Sequence, residues 1–140
     1  MIVESYVIDT NVLISAAFSA QTAPGRFVRR VLAQGRVLFS EATFAELETR
    51  IWRPKFDRYL SIENRKLLLH DFRAVGVWVE VPPEIADRRV CRDADDDKFI
   101  QLALAGDVRV LVTGDGDLLA LAKVDAVQIL SPAAALARMG

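Results

Sequence analysis

Short apolar runs along this chain alternate with stretches whose apolar residues recur every three or four positions. Residues 2–8 are β-rich and mostly apolar, so they read as a strand that stops at Asp9. Residues 12–18 read as a short helix that follows directly. Thr22-Ala23-Pro24-Gly25 is a turn with Pro24 near the first position of the next helix, whose stripe of Phe27, Val28, Val31 and Leu32 stops at Gly35. Residues 37–39 form a short strand, and Ser40 is an N-cap. A helix over residues 41–52 then carries Phe44, Leu47 and Ile51 on one face, until Pro54 ends it. Ser61 caps a helix bearing Leu67, Leu68 and Phe72 that ends near Gly76.

Residues 77–81 read as a strand cut by Pro82-Pro83, and residues 84–94 as a polar connector. A helix over 95–105 has an acidic first turn, which suits its dipole, and ends at Gly106. Residues 108–112 form a buried strand, 117–122 a short helix and 127–130 a last strand, and Ser131-Pro132 opens a terminal helix. Short apolar strands separated by helices predict a three-layer α/β/α sandwich, with a short, mostly parallel central sheet in one domain over residues 1–140. In such sheets ligands bind outside the carboxyl ends of the strands.

Composition narrows the class. At 140 residues, 52% hydrophobic and 26% charged, the chain is a globular domain and not a disordered one. Cys91 is the sole cysteine, so no internal disulfide and no Cys/His zinc site is expected, and the thiol points to a cytoplasmic setting. The amino terminus lacks a signal-peptide pattern, and no apolar run is long enough to span a bilayer. The net charge is only −1, yet residues 26–73 carry 11 Lys/Arg against 6 Asp/Glu, while residues 74–140 carry 7 against 11. A basic segment beside an acidic one could receive a polyanion, although two helices with solvated basic faces would look the same.

The acids sit at element edges. Asp9 ends the first strand and points from a rigid element into the crevice, with Thr10 or Asn11 free to cap the helix instead. Asp93, Asp95, Asp96 and Asp97 crowd one helix start. Asp97 is the choice for a site because it shares a face with Ile100 and Leu104, with Asp96 second. In Thr113-Gly114-Asp115-Gly116-Asp117 the glycines allow a tight turn, Asp117 is the expected cap, and Asp115 is left free. Glu46 by spacing alone favours an exposed pair with Arg50. Thr113, Ser40 and Asn11 are placed to orient carboxylates. Carboxylates gathered at one sheet edge need a cation, and hard Mg²⁺ or Mn²⁺ choose oxygen ligands.

With those residues placed, the chain resembles the PIN domain family of metal-dependent ribonucleases along essentially its whole length. Val-Ile-Asp9-Thr-Asn-Val-Leu is similar to the family's opening motif, Ser40 with Glu46 to its second, Asp97-Lys-Phe-Ile-Gln-Leu-Ala to its third, and Thr113-Gly-Asp115-Gly-Asp117-Leu-Leu to its fourth. The wording Asp-Ala-Asp-Asp-Asp97-Lys-Phe is similar to a subgroup of small proteins assigned as toxins of toxin–antitoxin pairs. The resemblance implies that Asp9, Glu46, Asp97 and Asp115 are catalytic and hold one or two Mg²⁺ or Mn²⁺ ions, with Asp117 a less secure fifth. It reverses the spacing argument for Glu46. It also implies an endoribonuclease that hydrolyses RNA phosphodiesters by metal-assisted attack of water. An antitoxin is expected on the helices between residues 12 and 74, together with a homodimer or higher homo-oligomer. Arg26, Arg29, Arg50, Arg53 and Lys55 are candidates for phosphate contacts, and His70 is expected to be structural.

Four other readings stand beside it. A haloacid-dehalogenase-type phosphatase needs a second Asp two residues after the first, but position 11 is Asn. A receiver domain needs an order of acids and Lys that is not reproduced. RNA processing outside a toxin pair, or a non-catalytic module held by a partner, remains open.

Overall fold

The computed structural model describes residues 3–140. The expected start of the first strand at Ile2 lies outside the described residues. Six strands form one sheet in the order β3-β2-β1-β4-β6-β5. They are β1 (Ser5–Ile8), β2 (Arg36–Phe39), β3 (Val77–Trp78), β4 (Val110–Val112), β5 (Lys123–Val124) and β6 (Val127–Leu130). All neighbours run parallel except β5, which returns antiparallel on β6. The helices are α1 (Thr10–Ala16), α2 (Ala23–Gln34), α3 (Glu41–Arg50), α4 (Ile62–Val75), α5 (Pro83–Ala86), α6 (Asp97–Ala105), α7 (Gly116–Leu121) and α8 (Pro132–Met139). Two 3-10 turns, Pro54–Phe56 and Ala94–Asp96, complete the set.

Alternation along the strands builds two cores. Tyr6 and Ile8 of β1, with Val37, Phe39, Val110 and Val112, face α1, α2, α3, α4 and α8. Val7, Leu38, Leu111 and Ile129 face the opposite way, against Phe99, Ile100, Leu102 and Ala103 of α6 and Leu118 of α7. A period of two puts successive side chains on opposite faces, so a strand covered on both sides must be apolar throughout. The α/β/α sandwich with a mostly parallel sheet is therefore what forms.

The differences from the sequence reading have local causes. The strand expected over 77–81 pairs for two residues. Beyond them, only the Val79 N–H reaches Phe39 O, at 2.8 Å, before Pro82-Pro83 turn the chain away. Val108 does not open β4. Its N–H closes the end of α6 on Ala103 O, and Asp107 turns there at φ 52°. Strand β5 was not expected. It is two residues long and turns into β6 through Asp125 at φ 51°, a conformation Asp tolerates. The acidic start of the 95–105 segment is a 3-10 turn, Ala94–Asp96, capped by the Asp93 carboxylate on the Asp95 N–H.

Candidate active site

Strands β1 and β4 end side by side. The Asp9 N–H bonds to Val112 O at 2.8 Å, so Asp9 and Thr113 emerge together at the carboxyl edge of the sheet. The Thr113 hydroxyl donates to Asp9 Oδ2 at 2.7 Å and accepts from the Asp115 N–H at 3.0 Å. One buried hydroxyl thus fixes both acids. Asp9 is itself buried, and burial raises its carboxyl above the ordinary range; the Thr113 hydrogen bond offsets part of that rise, while Glu46 adds to it.

Asp115 differs from its expected setting. It is the N-cap of α7, its Oδ2 accepting from the Leu118 N–H at 3.0 Å, a role the sequence reading gave to Asp117. Asp117 sits in the first turn of α7 and is exposed. The backbone reason lies two residues earlier, where Asp115 is extended, as an N-cap must be. Neither Gly114 nor Gly116 has a positive φ, and a Cβ added to either would meet nothing within 4 Å. The turn does not demand glycine there; the two residues leave the space before Asp115 open.

Glu46 makes the pair with Arg50 that its spacing favours, but it is not exposed. Its carboxylate is largely buried and takes the expected i,i+4 bridge from Arg50 at 3.1 Å. It also accepts the Thr10 hydroxyl on Oε2 and Lys98 Nζ on Oε1, the latter at 3.1 Å. Sequence reasoning missed Thr10 and Lys98. Thr10 lay next to a singled-out acid, whereas nothing in spacing joins Lys98 to a residue 52 positions earlier.

Asp97, the first choice of the sequence, and Asp96, the second, have different surroundings. Asp97, preferred as a ligand because it lies on the buried face, is indeed buried, but its Oδ1 accepts the N–H groups of Val90 and Cys91 at 2.8 and 2.7 Å. Burial pushes its carboxyl up, yet the hydrogen bonds from Cys91 and Val90 outweigh it, and the carboxyl stands below the ordinary range. Asp97 Oδ2 is buried without a partner. Asp96 is the acid that senses the others. Burial, then the charges of Asp115, Asp9, Asp93 and Glu46, push its carboxyl up to about 6. Burial and the neighbouring Asp97 push the Cys91 thiol up to about 12, so it stays protonated as a small structural group.

The remaining candidates separate. Ser40 accepts the Thr43 N–H at 3.2 Å in a capping box that starts α3; its partners are on Thr43, not on the acids. Asn11 lies beside Asp115 along one groove of the surface. Arg50 and Arg53 line an open cleft of about 370 Å³ with Glu46, Asp95 and Lys98. Arg26, Arg29, Lys55 and His70 are exposed elsewhere on the surface.

As donors, Asp9, Glu46, Asp96, Asp97 and Asp115 suit a hard divalent cation, since all offer carboxylate oxygen, and Asp97 Oδ2 is buried with no other partner. Among the described residues, no three acids stand at ligand spacing, and Glu46 is neutralised by Arg50 and Lys98. The donor chemistry fits a cation, and closure around one would need Glu46 to leave its cationic partners.

The chain is similar to known proteins in sequence and in fold. The uncharacterized protein MJ1680 of Methanocaldococcus jannaschii is 36% identical over 117 residues, spanning 82% of this chain and 73% of that protein. The fold is similar to PAE2754 from Pyrobaculum aerophilum, at 20% identity and TM-score 0.64 over 98% of this chain and 95% of that one. It is also similar to VapC20 of Mycobacterium tuberculosis, a sarcin–ricin loop cleaving toxin, at 17% identity and TM-score 0.56 over 88% of this chain and 98% of that one. The family pattern described as a PIN domain matches residues 5–117, most of the length, and the chain belongs to the PIN domain family.

Proposed function

We infer that this chain is a divalent-metal-dependent endoribonuclease that acts as the toxin of a toxin–antitoxin pair. The observation that carries the reading is the meeting of acids at the carboxyl edge of the sheet: the Thr113 hydroxyl holds Asp9 and the Asp115 backbone together, and Asp97 Oδ2 is buried there without a partner; burial and the charges of Asp115, Asp9, Asp93 and Glu46, which raise the Asp96 carboxyl to about 6, agree with it. Such convergence at the carboxyl edge of a parallel sheet is costly and persists where a function needs it. Asp9, Glu46, Asp97 and Asp115 would hold Mg²⁺ or Mn²⁺, Asp97 through its unpartnered Oδ2 while its Oδ1 stays on backbone N–H groups, and Asp96 would stand beside them as a further ligand. A bound Mg²⁺ or Mn²⁺ supplies Lewis-acid stabilisation of the phosphorane charge and a water nucleophile at neutral pH.

The chain's own residues do the rest. Thr113 holds Asp9 in one rotamer by donating to Oδ2, and Thr10 does the same for Glu46. Asp97 ties the Val90–Cys91 backbone to the start of α6, and so fixes where Asp96 points. Gly114 and Gly116 leave the approach to Asp115 open to a single strand. The cleft with Arg50 and Arg53 beside the acids offers positive charge to an RNA backbone. The toxin role is supported by the fold likeness to VapC20. An antitoxin or a second copy of the chain would cover apolar side chains left exposed, among them Trp52, Tyr59, Ile62 and Leu67. Purified protein with Mn²⁺ or Mg²⁺ is expected to cut single-stranded RNA, and the Asp9→Asn variant is not. Equal cutting by both would mean a contaminating nuclease and would end the reading.

A further inference from the structure

Glu46 is held by more positive charge than it can neutralise. Its Oε1 receives both Arg50 Nη2 and Lys98 Nζ at 3.1 Å, while Thr10 occupies Oε2. Lys98 also reaches Asp95 Oδ1 at 3.3 Å, but that carboxylate is mostly exposed. Arg50 keeps a second donor, Nε, buried and without a partner. Arg50, Arg53 and Lys98 line the cleft of about 370 Å³ together with Glu46 and Asp95. Its lining thus carries three cations against two acids, one anion short of balance.

We propose that Lys98 and Arg50 form a phosphate-binding latch: they clamp Glu46 in the free protein and transfer to an RNA phosphodiester oxygen when substrate enters the cleft. The inference rests on the ribonuclease reading above and adds to it a residue pair, a site and an order of events. Two cations on one carboxylate suit an exchange of partners, because one anion simply replaces another. Arg offers the flat fork that matches phosphate, and Lys98 a movable point charge from the first turn of α6, next to Asp96. The exchange frees Glu46 at the moment RNA arrives. It thereby links formation of the acidic centre to occupation of the cleft, and a free chain would carry a latched, incompletely assembled site.

The test reads RNA binding without catalysis. Fluorescence anisotropy of a labelled single-stranded RNA decamer is measured in EDTA across a range of KCl concentrations. Lys98→Gln is expected to weaken binding roughly tenfold and to flatten the plot of log K against log salt by about 0.7, the loss of one phosphate contact on a single strand. Lys98→Arg should restore both. Arg109→Gln, an equal charge change in a surface groove with Glu4, Ser5 and Arg138, should alter neither. Glu46→Gln should tighten binding by several-fold, because the latch is then open, and the double variant Glu46→Gln/Lys98→Gln should lose that gain. Circular dichroism melts confirm that each variant is folded. Unchanged affinity and slope in Lys98→Gln would overturn the latch, as would a Glu46→Gln gain that survives without Lys98. With the parent still cutting RNA in Mn²⁺, either result leaves the ribonuclease reading intact. A parent that neither binds nor cuts RNA would remove both.

Discussion

Asp96 and Asp97 are chain neighbours with opposite electrostatics. The Asp97 carboxyl is held low by two backbone N–H donors, and that of Asp96 is held near 6 by burial and by the charges facing it. Their contributions to stability therefore have opposite signs. A carboxyl lowered by folding stabilises the fold above its unfolded pKa and loses that contribution as pH falls through the folded value. A raised one favours the fold below its unfolded value, and the benefit disappears as pH rises through about 6. Asp97→Ala is expected to cost about 1–3 kcal/mol in urea unfolding at neutral pH, the range for charge-assisted bonds to buried donors. Asp96→Asn should abolish RNA cleavage while leaving the protein as stable as the parent, or more so. In EDTA the parent should gain Tm as pH is lowered from about 7.5 to about 5, and Asp96→Asn should gain less. A catalytically active Asp96→Asn, with an inactive and fully stable Asp97→Asn, would exclude Asp96 from the site and leave the ligand role to Asp97 alone.

At the scale of elements, the helix starts do the positioning. Ser40, Ser61, Asp115 and Ser131 each accept a backbone N–H three residues on, and Thr22 does so for α2. Three of these caps, Ser40, Ser61 and Ser131, were read as helix starts from the sequence, whereas Thr22 was read only as part of a turn. Asp115 was not read as a cap, because Asp-Gly-Asp offers two equivalent caps and only the backbone path chooses between them. Ser40→Ala is expected to cost about 0.5–2 kcal/mol through the lost cap. The glycines divide by environment as well. A Cβ on Gly25 would stand 1.9 Å from Ser19 O, a backbone atom that cannot step aside, so the first turn of α2 needs glycine to pass the preceding loop. Gly25→Ala should destabilise by about 1–3 kcal/mol, as overpacking does, whereas Gly114→Ala, with open space around it, should leave the melting curve unchanged. A tolerant Gly25→Ala would contradict the packing of α2 on that loop.

For the whole molecule, one sheet edge gathers residues from four places in the chain: Asp9 after β1, Glu46 on α3, Asp96 and Asp97 at the start of α6 and Asp115 after β4. On the metal-dependent function proposed above, the folded chain would bind a cation that the unfolded one does not, and a ligand that favours the folded state raises Tm. Mn²⁺ is accordingly expected to raise Tm at about pH 7.5 and to do so less at about pH 5.5, where Asp96 takes up a proton. Asp96→Asn should blunt the difference. A Tm indifferent to Mn²⁺ at both pH values would weigh against a cation at this edge.

The apolar periodicity of the sequence determined the alternation of strands and helices, and with it a parallel sheet covered on both faces. A strand buried on both sides has no choice but to be apolar, and a capped helix announces its start. The acids at element edges pointed to Asp9, Asp97 and Asp115 as candidates, and only the resemblance to a family added Glu46. Tertiary structure alone decided what each carboxylate touches. Asp96 and Asp97 differ by one residue, but a helical turn sends them to different neighbours, one to the N–H groups of Val90 and Cys91 and the other towards Asp9 and Asp115. Lys98 meets Glu46 only because α6 and α3 lie close across the sheet's edge. Periodicity reports which face of an element is buried; it carries no record of which distant backbone donor or cation will be waiting there.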